Sequence, residues 1–327
     1  MTEPAAAAPN NVRTVGVLGA GQLGRMLALA GIPLGLEFIF YSDRPDDTAR
    51  TLGDHIHAEY TDLEAIASFA RRCDVVTFEF ENVPAATAEA VSAAGTPIAP
   101  GPRSLAITQD RLLEKTTFHK LDVPTNAFHA VNNAADALAA IEAVGLPAVL
   151  KTRTLGYDGK GQGLVRTPAQ AERVFDELGG VPLLAEAFVP FTRELSTISV
   201  RTWSGEVAHY PLTQNTHEAG ILARSVAPAP NVSPDLTKQA QQAAERVMTE
   251  LGHVGVLAIE WFEHEGRLLA NECAPRVHNS GHWTQDAAAT CQFENHCRAV
   301  CNWPLGPSHV IALDEKRNLI CVTPGVI

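Results

Sequence analysis

No apolar run in this 327-residue chain approaches the ~20 residues that a membrane-spanning helix needs, so no membrane segment is expected. Basic residues are outnumbered, 25 against 37 acidic, for a formal charge of −12. That balance gives neither a nucleic-acid surface nor a polybasic membrane patch, and it leaves any bound phosphate to local Lys or Arg, backbone N–H groups or a metal. The opening MTEPAAAAPN lacks the basic and apolar regions of a signal or transit peptide and reads as a disordered tail over residues 1–11. Cysteine is scarce. Cys73, Cys273, Cys291, Cys297, Cys301 and Cys321 form no C-x-x-C pair, which suits reduced thiols in a cytoplasmic protein. Cys291, His296, Cys297 and Cys301 do crowd together, but on a predicted helix with poor ligand spacing, so they read as buried thiols and not as a zinc site. There is no internal repeat, and no P-loop, because no Gly-Lys is followed by Ser or Thr.

What is present is a chain 46% hydrophobic and 19% charged, enough for a large core split into two or three domains. From Val12 to about Ile98, strands (VGVLG, EFIFYS, DVVTFEFE, TPIA) alternate with helices starting at Gln22, Asp62 and Pro84. Such alternation predicts a parallel sheet flanked by helices. APGPRS then breaks the pattern and marks a boundary near Pro100 to Ser104. Beyond it the predicted elements are a helix over Leu105 to Leu121, a second over Ala134 to Val144, and the strand PAVLKT. A Gly-rich segment, a helix over Pro168 to Leu178, the strand VPLLAEAFV and a helix over Pro234 to Leu251 follow, giving an α+β second half. The domains expected are thus 12–103, Rossmann-like; 104–305, with a central lobe at about 125–185; and a segment 306–327.

Four features carry chemistry. Gly19, Gly21 and Gly24 spell G-x-G-x-x-G after a strand, with Asp43 at the end of the next, the pattern of a dinucleotide site. The run TLGYDGKGQG sets Gly156, Gly159, Gly161 and Gly163 among Tyr157, Asp158 and Lys160, after the strand that carries Lys151. A glycine loop between strands can fold over phosphates while N–H groups and a lysine neutralise them; the plainer alternative is a hairpin turn. Glu260 and Glu272 sit on two strands flanking EHEG. With the turn centred near Glu265 or Gly266 they are predicted on one face of a hairpin, where paired carboxylates call for a divalent cation such as Mg²⁺. Finally, Arg276, His278, Asn279 and His282 in APRVHNSGHWT read as an anion or substrate pocket.

LKTRTLGYDGKGQG, LLAEAFVPFTRELS, IEWF and NECAPRVHNSGHWT, in this order, resemble the ATP-grasp ligases, and among them the 5-(carboxyamino)imidazole ribonucleotide synthases of purine biosynthesis. The resemblance runs from about Thr14 to Leu305 and includes GAGQLGRM and TFEFENVP. It implies a Rossmann-like domain followed by an ATP-grasp domain, and a glycine turn that serves a ribonucleotide and not NAD. Gln22, Leu23 and either Glu79 or Glu81 would touch that substrate, and Asp43 would be an ordinary loop residue. By the same resemblance Arg111, Lys151 and the loop Gly156, Tyr157, Asp158, Gly159, Lys160, Gly161, Gln162 would hold the ATP phosphates. The backbone of Glu186, Ala187, Phe188 and Val189 would read adenine, Glu194 the ribose, and His217 and Asn271 would be further nucleotide contacts. Glu260 and Glu272 would bind Mg²⁺. Tyr157, Asp158, Arg276, His278 and Asn279 would shape the pocket for ribonucleotide and bicarbonate, with Asp158, Lys160, Arg276 and His278 as the catalytic set. The activity implied is ATP- and bicarbonate-dependent carboxylation of 5-aminoimidazole ribonucleotide through carboxyphosphate, by a cytoplasmic homodimer that binds small molecules and no nucleic acid.

Two departures from the family pattern stand out. Ala274 occupies the place where many ATP-grasp enzymes have a metal-binding Asn, which is usual for this ribonucleotide subgroup. The family's small C-terminal domain, with a Lys and an Arg for the 5′-phosphate, is not recognisable in SHVIALDEKRNLICVTPGVI, where only Lys316 and Arg317 offer substitutes. A truncated C-terminal domain is therefore expected, with ATP binding kept and ribonucleotide turnover weak. The rival readings are a formate-using glycinamide ribonucleotide transformylase, an NAD(P)-dependent oxidoreductase, and a nucleotide-binding protein without turnover.

Overall fold

The computed structural model describes residues 7–156, 160–312 and 314–317, so Tyr157, Asp158 and Gly159 lie outside the described residues. Strands β1 (Thr14–Leu18), β2 (Glu37–Ser42), β3 (Asp54–His57) and β4 (Val75–Phe78) form a parallel sheet in the order β3-β2-β1-β4. Helices α1 (Gln22–Gly31), α2 (Leu63–Ala70) and α3 (Ala85–Ala93) flank it, as the alternation of apolar runs predicts. Strand β3 was not expected; its DHIH is half-exposed at the sheet edge and carries no apolar run. TPIA is no strand either, but makes a single bridge from Ile98 to Val76.

The expected helix 105–121 is two helices, α4 (Pro102–Thr108) and α5 (Arg111–Lys120). Asp110 breaks it: its backbone is extended and its carboxylate accepts the N–H groups of Leu112 and Leu113, the signature of an N-cap. The next lobe is an antiparallel sheet of β5 (Phe128–Val131), β6 (Ala148–Thr152), β7 (Gln162–Val165) and β8 (Leu183–Ala187), ordered β5-β8-β6-β7. It is covered by α6 (Ala134–Val144) and α7 (Ala171–Glu177), the latter preceded by a 3₁₀ turn at Pro168–Gln170 that replaces the expected first helical turn. A larger antiparallel sheet follows, built of β9 (Arg193–Arg201), β10 (Val207–His209), β11 (Thr213–Glu218), β12 (Ile221–Ala227), β13 (Gly255–His264), β14 (Arg267–Ala274) and β15 (Asp314–Arg317). β15, which contains Lys316 and Arg317, pairs with β12. Helix α8 (Pro234–Leu251) has Ser233 as N-cap and lays Leu236, Ala240, Ala243, Val247 and Leu251 on this sheet. Helices α9 (Thr284–Ala287) and α10 (Gln292–Val300) complete the chain's helices among the described residues.

One core joins the parallel sheet to the large one: Val15, Leu27 and Phe40 meet Phe293, Cys297 and Val300 of α10 and Val256 of β13. The thiols of Cys297 and Cys301 lie in this core, where burial pushes their pKa up. His296 serves packing. Its Nδ1 accepts the Val256 N–H (3.1 Å), so Nε2 carries the proton and donates to Thr77 Oγ1 of β4 (2.9 Å), bridging the two sheets. His253, also buried, accepts from Ser104 Oγ (2.8 Å) and donates to the Val256 carbonyl (3.0 Å).

Burial lowers the pKa of His296 to about 4 and of His253 to about 3. An unfolded histidine titrates near 6.5, so below that pH the unfolded chain takes up protons that the folded chain refuses. Stability is therefore full above about pH 6.5 and falls as the pH drops toward 4, by up to about 1.4 kcal/mol per pH unit for each histidine. Thermal unfolding should have its midpoint several degrees lower at pH 5 than at pH 7, and His296→Asn should narrow that gap. An unchanged gap in the variant would contradict the neutral, buried assignment.

Candidate active site

The cleft between the central lobe and the large sheet encloses about 590 Å³. Its back wall is the hairpin of β13 and β14, closed by a two-residue turn in which Glu265 (φ 50°) and Gly266 (φ 71°) both take the left-handed conformation. That turn pairs His264 with Arg267 and Trp261 with Ala270, a register that would send Glu260 and Glu272 to opposite faces. The turn alone would therefore part the two carboxylates, and a bulge returns them to the expected common face. Asn271 is the extra residue, and past it Glu260 stands directly opposite Glu272. The bulge also lets the consecutive Asn271 and Glu272 both reach the cleft, which strict alternation forbids.

Burial and the Glu272 charge push the Glu260 carboxyl up to about 8. For Glu272 burial acts in the same sense, but Arg111 and Lys151 outweigh it and hold the group well below the carboxylate range, Arg111 Nη1 donating to Glu272 Oε2 at 2.7 Å. Two opposed carboxylates, one strained toward protonation by the other, form a donor set that a hard divalent cation fits, with its remaining positions left for phosphate oxygens and water.

Two cations of the cleft come from one helix and one strand. Arg111 opens α5, and Lys151 of β6 contacts Glu186 Oε2 at 2.9 Å and donates to Asn271 Oδ1 at 3.1 Å. Lys160, Gln162 and Gly156 line the same cleft at the described edges of the glycine segment, with the Gly161 carbonyl accepting the Thr152 N–H at 2.7 Å. Phe188, Val189, Phe191, Leu222 and Phe262 form an apolar end wall, the rings of Phe191 and Phe262 stacked at 4.7 Å. Of the backbone expected to read a base, the N–H groups of Ala187 and Phe188 already donate to Ala127 and Pro147. The Glu186 side chain points inward to Lys115 and Lys151. Glu194 and His217 meet beside this wall at 2.7 Å. Burial alone would lower the His217 pKa, but the bonded Glu194 and nearby Glu260 raise it.

The loop after β14 is split by the fold. Arg276, His278 and Asn279 line the cleft, but His282 does not: it is buried, receives Gln292 Nε2 at 3.2 Å and packs on Phe293. Gln292, absent from the sequence-derived candidates, fixes this loop by donating to the His278 carbonyl (2.7 Å) and accepting the His278 N–H (3.1 Å). His278 Nδ1 accepts the Ser280 N–H, leaving Nε2–H toward Glu260 at 3.5 Å. Burial and Arg276 depress its pKa to about 3, so it offers a hydrogen bond and no charge.

The glycine turn has an unexpected tenant. Glu79 Oε2 accepts the Gly24 N–H at 2.6 Å and Oε1 the Gly21 N–H, so a carboxylate of this chain occupies the α1 N-terminus. Side-chain atoms at Gly19 or Gly21 would strike that carboxylate, which explains the glycines without a dinucleotide. Glu81, in contrast, lines the cleft and pairs with Arg276. Burial would raise its pKa; Arg276 outweighs that and holds it below the usual range. Gln22 is exposed, Leu23 packs against the core, and neither lines the cleft. Asp43 is an exposed loop residue.

Residues 116–293 match the ATP-grasp domain family, and residues 12–109 the ribonucleotide synthetase preATP-grasp domain. The N5-carboxyaminoimidazole ribonucleotide synthase of Pseudomonas aeruginosa is 51% identical over 312 residues, covering 95% of this chain and 86% of its own. That of Brucella melitensis is 43% identical, with 96% and 85% covered. Among solved structures, the Thermus thermophilus synthetase superposes with a TM-score of 0.89 at 49% identity over 94% of this chain and 83% of that one. An Aspergillus clavatus synthase, solved with ADP and 5-aminoimidazole ribonucleotide, gives 0.89 at 30% identity over 96% and 84%.

Proposed function

Since this chain belongs to the N5-carboxyaminoimidazole ribonucleotide synthases of the ATP-grasp superfamily, we propose that its cleft joins bicarbonate to the amine of 5-aminoimidazole ribonucleotide at the expense of ATP. It is an ATP-grasp ligase. The observation that carries the reading is the opposition of Glu260 and Glu272 beside Arg111 and Lys151 in one cleft.

Adenine lies against Phe188, Phe191 and Phe262 and meets the backbone at Val189, the ribose hydroxyls meet Glu194 and His217, and Lys151, Arg111, Asn271 and the segment 156–162 face the phosphates. Glu260 and Glu272 would hold Mg²⁺, which would supply charge neutralisation for the phosphates. Arg276, released from Glu81 or shared with it, pairs with bicarbonate, and the neutral His278 donates Nε2–H to it. The product of phosphoryl transfer, carboxyphosphate, decomposes quickly in water, so closure of the glycine segment, with Lys160 on it, protects it until CO₂ meets the amine. Asp158, from that segment, takes the amine proton. Tyr157 and Asn279 contact the ribonucleotide, Glu81 reaches it, and Glu79 acts by holding the turn, whereas Gln22 and Leu23, which do not line the cleft, are assigned no contact. The domain limits 12–103 and 104–305, a homodimer readable by sedimentation, and a cytoplasmic setting belong to the same proposal.

ADP release in a coupled assay should require both bicarbonate and 5-aminoimidazole ribonucleotide. ADP release driven instead by formate with glycinamide ribonucleotide would overturn the assignment in favour of the transformylase reading.

A further inference from the structure

Behind the phosphate-facing wall lies a charge that the reaction described above does not use. Lys115, on α5, is fully buried, with 0% of its side chain exposed. Its ammonium donates to Asn126 Oδ1 (3.0 Å) and to the Ala270 carbonyl (2.9 Å) and lies 3.5 Å from Glu186 Oε1. All three neighbours are acceptors, so the ammonium is the form that satisfies them, although burial pulls its pKa down against the pull of Glu186. The other oxygen of Glu186 contacts Lys151 at 2.9 Å and receives Asn126 Nδ2 at 3.3 Å. Glu186 Oε1 has no hydrogen-bond partner among the described residues, which leaves Lys115 as its counter-charge.

Counting charges decides the role. Lys115, Lys151 and Glu186 sum to +1, and the only member that reaches the cleft with a cation is Lys151. Without Lys115 the pair Lys151 and Glu186 sums to zero, and the lysine's attraction for an anion is spent on its own neighbour. We infer that Lys115 is a positioning residue for nucleotide binding: it neutralises Glu186 from behind, so that Lys151 keeps its charge for a nucleotide phosphate. This rests on the reading that Lys151 faces phosphate. The buried carboxylate is retained because, with Asn126 and Asn271, it fixes where the Lys151 ammonium points.

The test is ATP affinity by calorimetry on the full chain with Mg²⁺. Lys115→Met should weaken ATP binding about tenfold to a hundredfold, the size expected for cancelling one charge near a phosphate. Adding Glu186→Gln restores the sum to +1, and the double variant K115M/E186Q should recover at least about tenfold of that loss, while adenosine binding stays unchanged in K115M. Recovery is the readout that a merely structural role would not give. A K115M protein that binds ATP like the parent, or a double variant no better than K115M, would overturn the inference. Should K115M not fold, Lys115→Gln read against K115Q/E186Q makes the same comparison. Lys151→Met separates this from the reading beneath it: unchanged ATP affinity there refutes the phosphate role itself, whereas a loss there with intact K115M refutes only the part assigned to Lys115.

Discussion

Replacing Glu272 by Ala should lower kcat/KM for ATP on the order of a thousandfold, the scale seen when a group that stabilises transferring charge is removed. Three consequences of the same deletion add. The opposed carboxylate pair loses the member that is ionised, so a cation is left with the single carboxyl of Glu260, whose burial still opposes ionisation. Arg111 loses the partner that orients it at 2.7 Å and becomes free to swing out of the phosphate path. The negative charge that balances Arg111, Lys151 and Arg276 in the cleft disappears, so ATP without metal binds as well or better while turnover collapses. Steady-state ADP release with Mg²⁺ titrated should show both a lower maximum and a shift to higher Mg²⁺. Parent-like turnover by E272A would remove the metal from this site, since Glu272 is the carboxylate that stands opposite Glu260.

The second large effect is on stability. Gly19→Val should destabilise the fold by about 2–4 kcal/mol, combining a left-handed backbone that L-residues resist with a steric conflict in a packed turn. Gly19 has φ 107°, and any Cβ there would lie 2.7 Å from Glu79 Oε1. That carboxylate cannot withdraw cheaply, because it satisfies the N–H groups of Gly21 and Gly24, which have no other acceptor so close to the α1 N-terminus. Thermal unfolding reads the loss directly. Adding Glu79→Ala should return the steric part but not the backbone part, so G19V/E79A should be less destabilised than the sum of the two singles. Strict additivity would mean that Glu79 does not fill the turn in solution. The same occupancy predicts no fluorescence response of NADH to the protein, because the space a pyrophosphate needs is already taken by a side chain of like charge.

The sequence was informative wherever the governing interactions are local or repeat with a short period. The alternation up to Ile98, the glycine turn before α1, the cap that starts α8 and the two strands around Glu265 and Gly266 each follow from backbone preferences within a few residues. It also carried the identity and order of the groups in the cleft, and motifs that dense leave little freedom about chemistry. What lay outside its reach depends on contacts between distant segments. Helix α5 shows this: Leu113 is 46% exposed while Glu114 and Lys115 are buried, an inversion of the usual stripe made tolerable by the Cys273 N–H that donates to Glu114 and by the acceptors that Ala270 and Asn126 offer Lys115. A charged stripe at 111, 114 and 115 facing the same way as Phe118 was a visible signal, but periodicity alone assigns such a face to solvent.

The amino-acid order by itself determined that two glutamates would flank a hairpin turn, that a lysine would precede a glycine segment, and that a glycine turn would open the first helix. Tertiary structure decided that a bulge at Asn271 brings those glutamates face to face, that Glu79 fills the turn while Glu81 turns to the cleft, and that His282 and His296 serve packing. The reason is that strand register, burial of a charge and the tautomer of a histidine are set by which donor or acceptor arrives from elsewhere in the chain, and nothing in a local window specifies that partner.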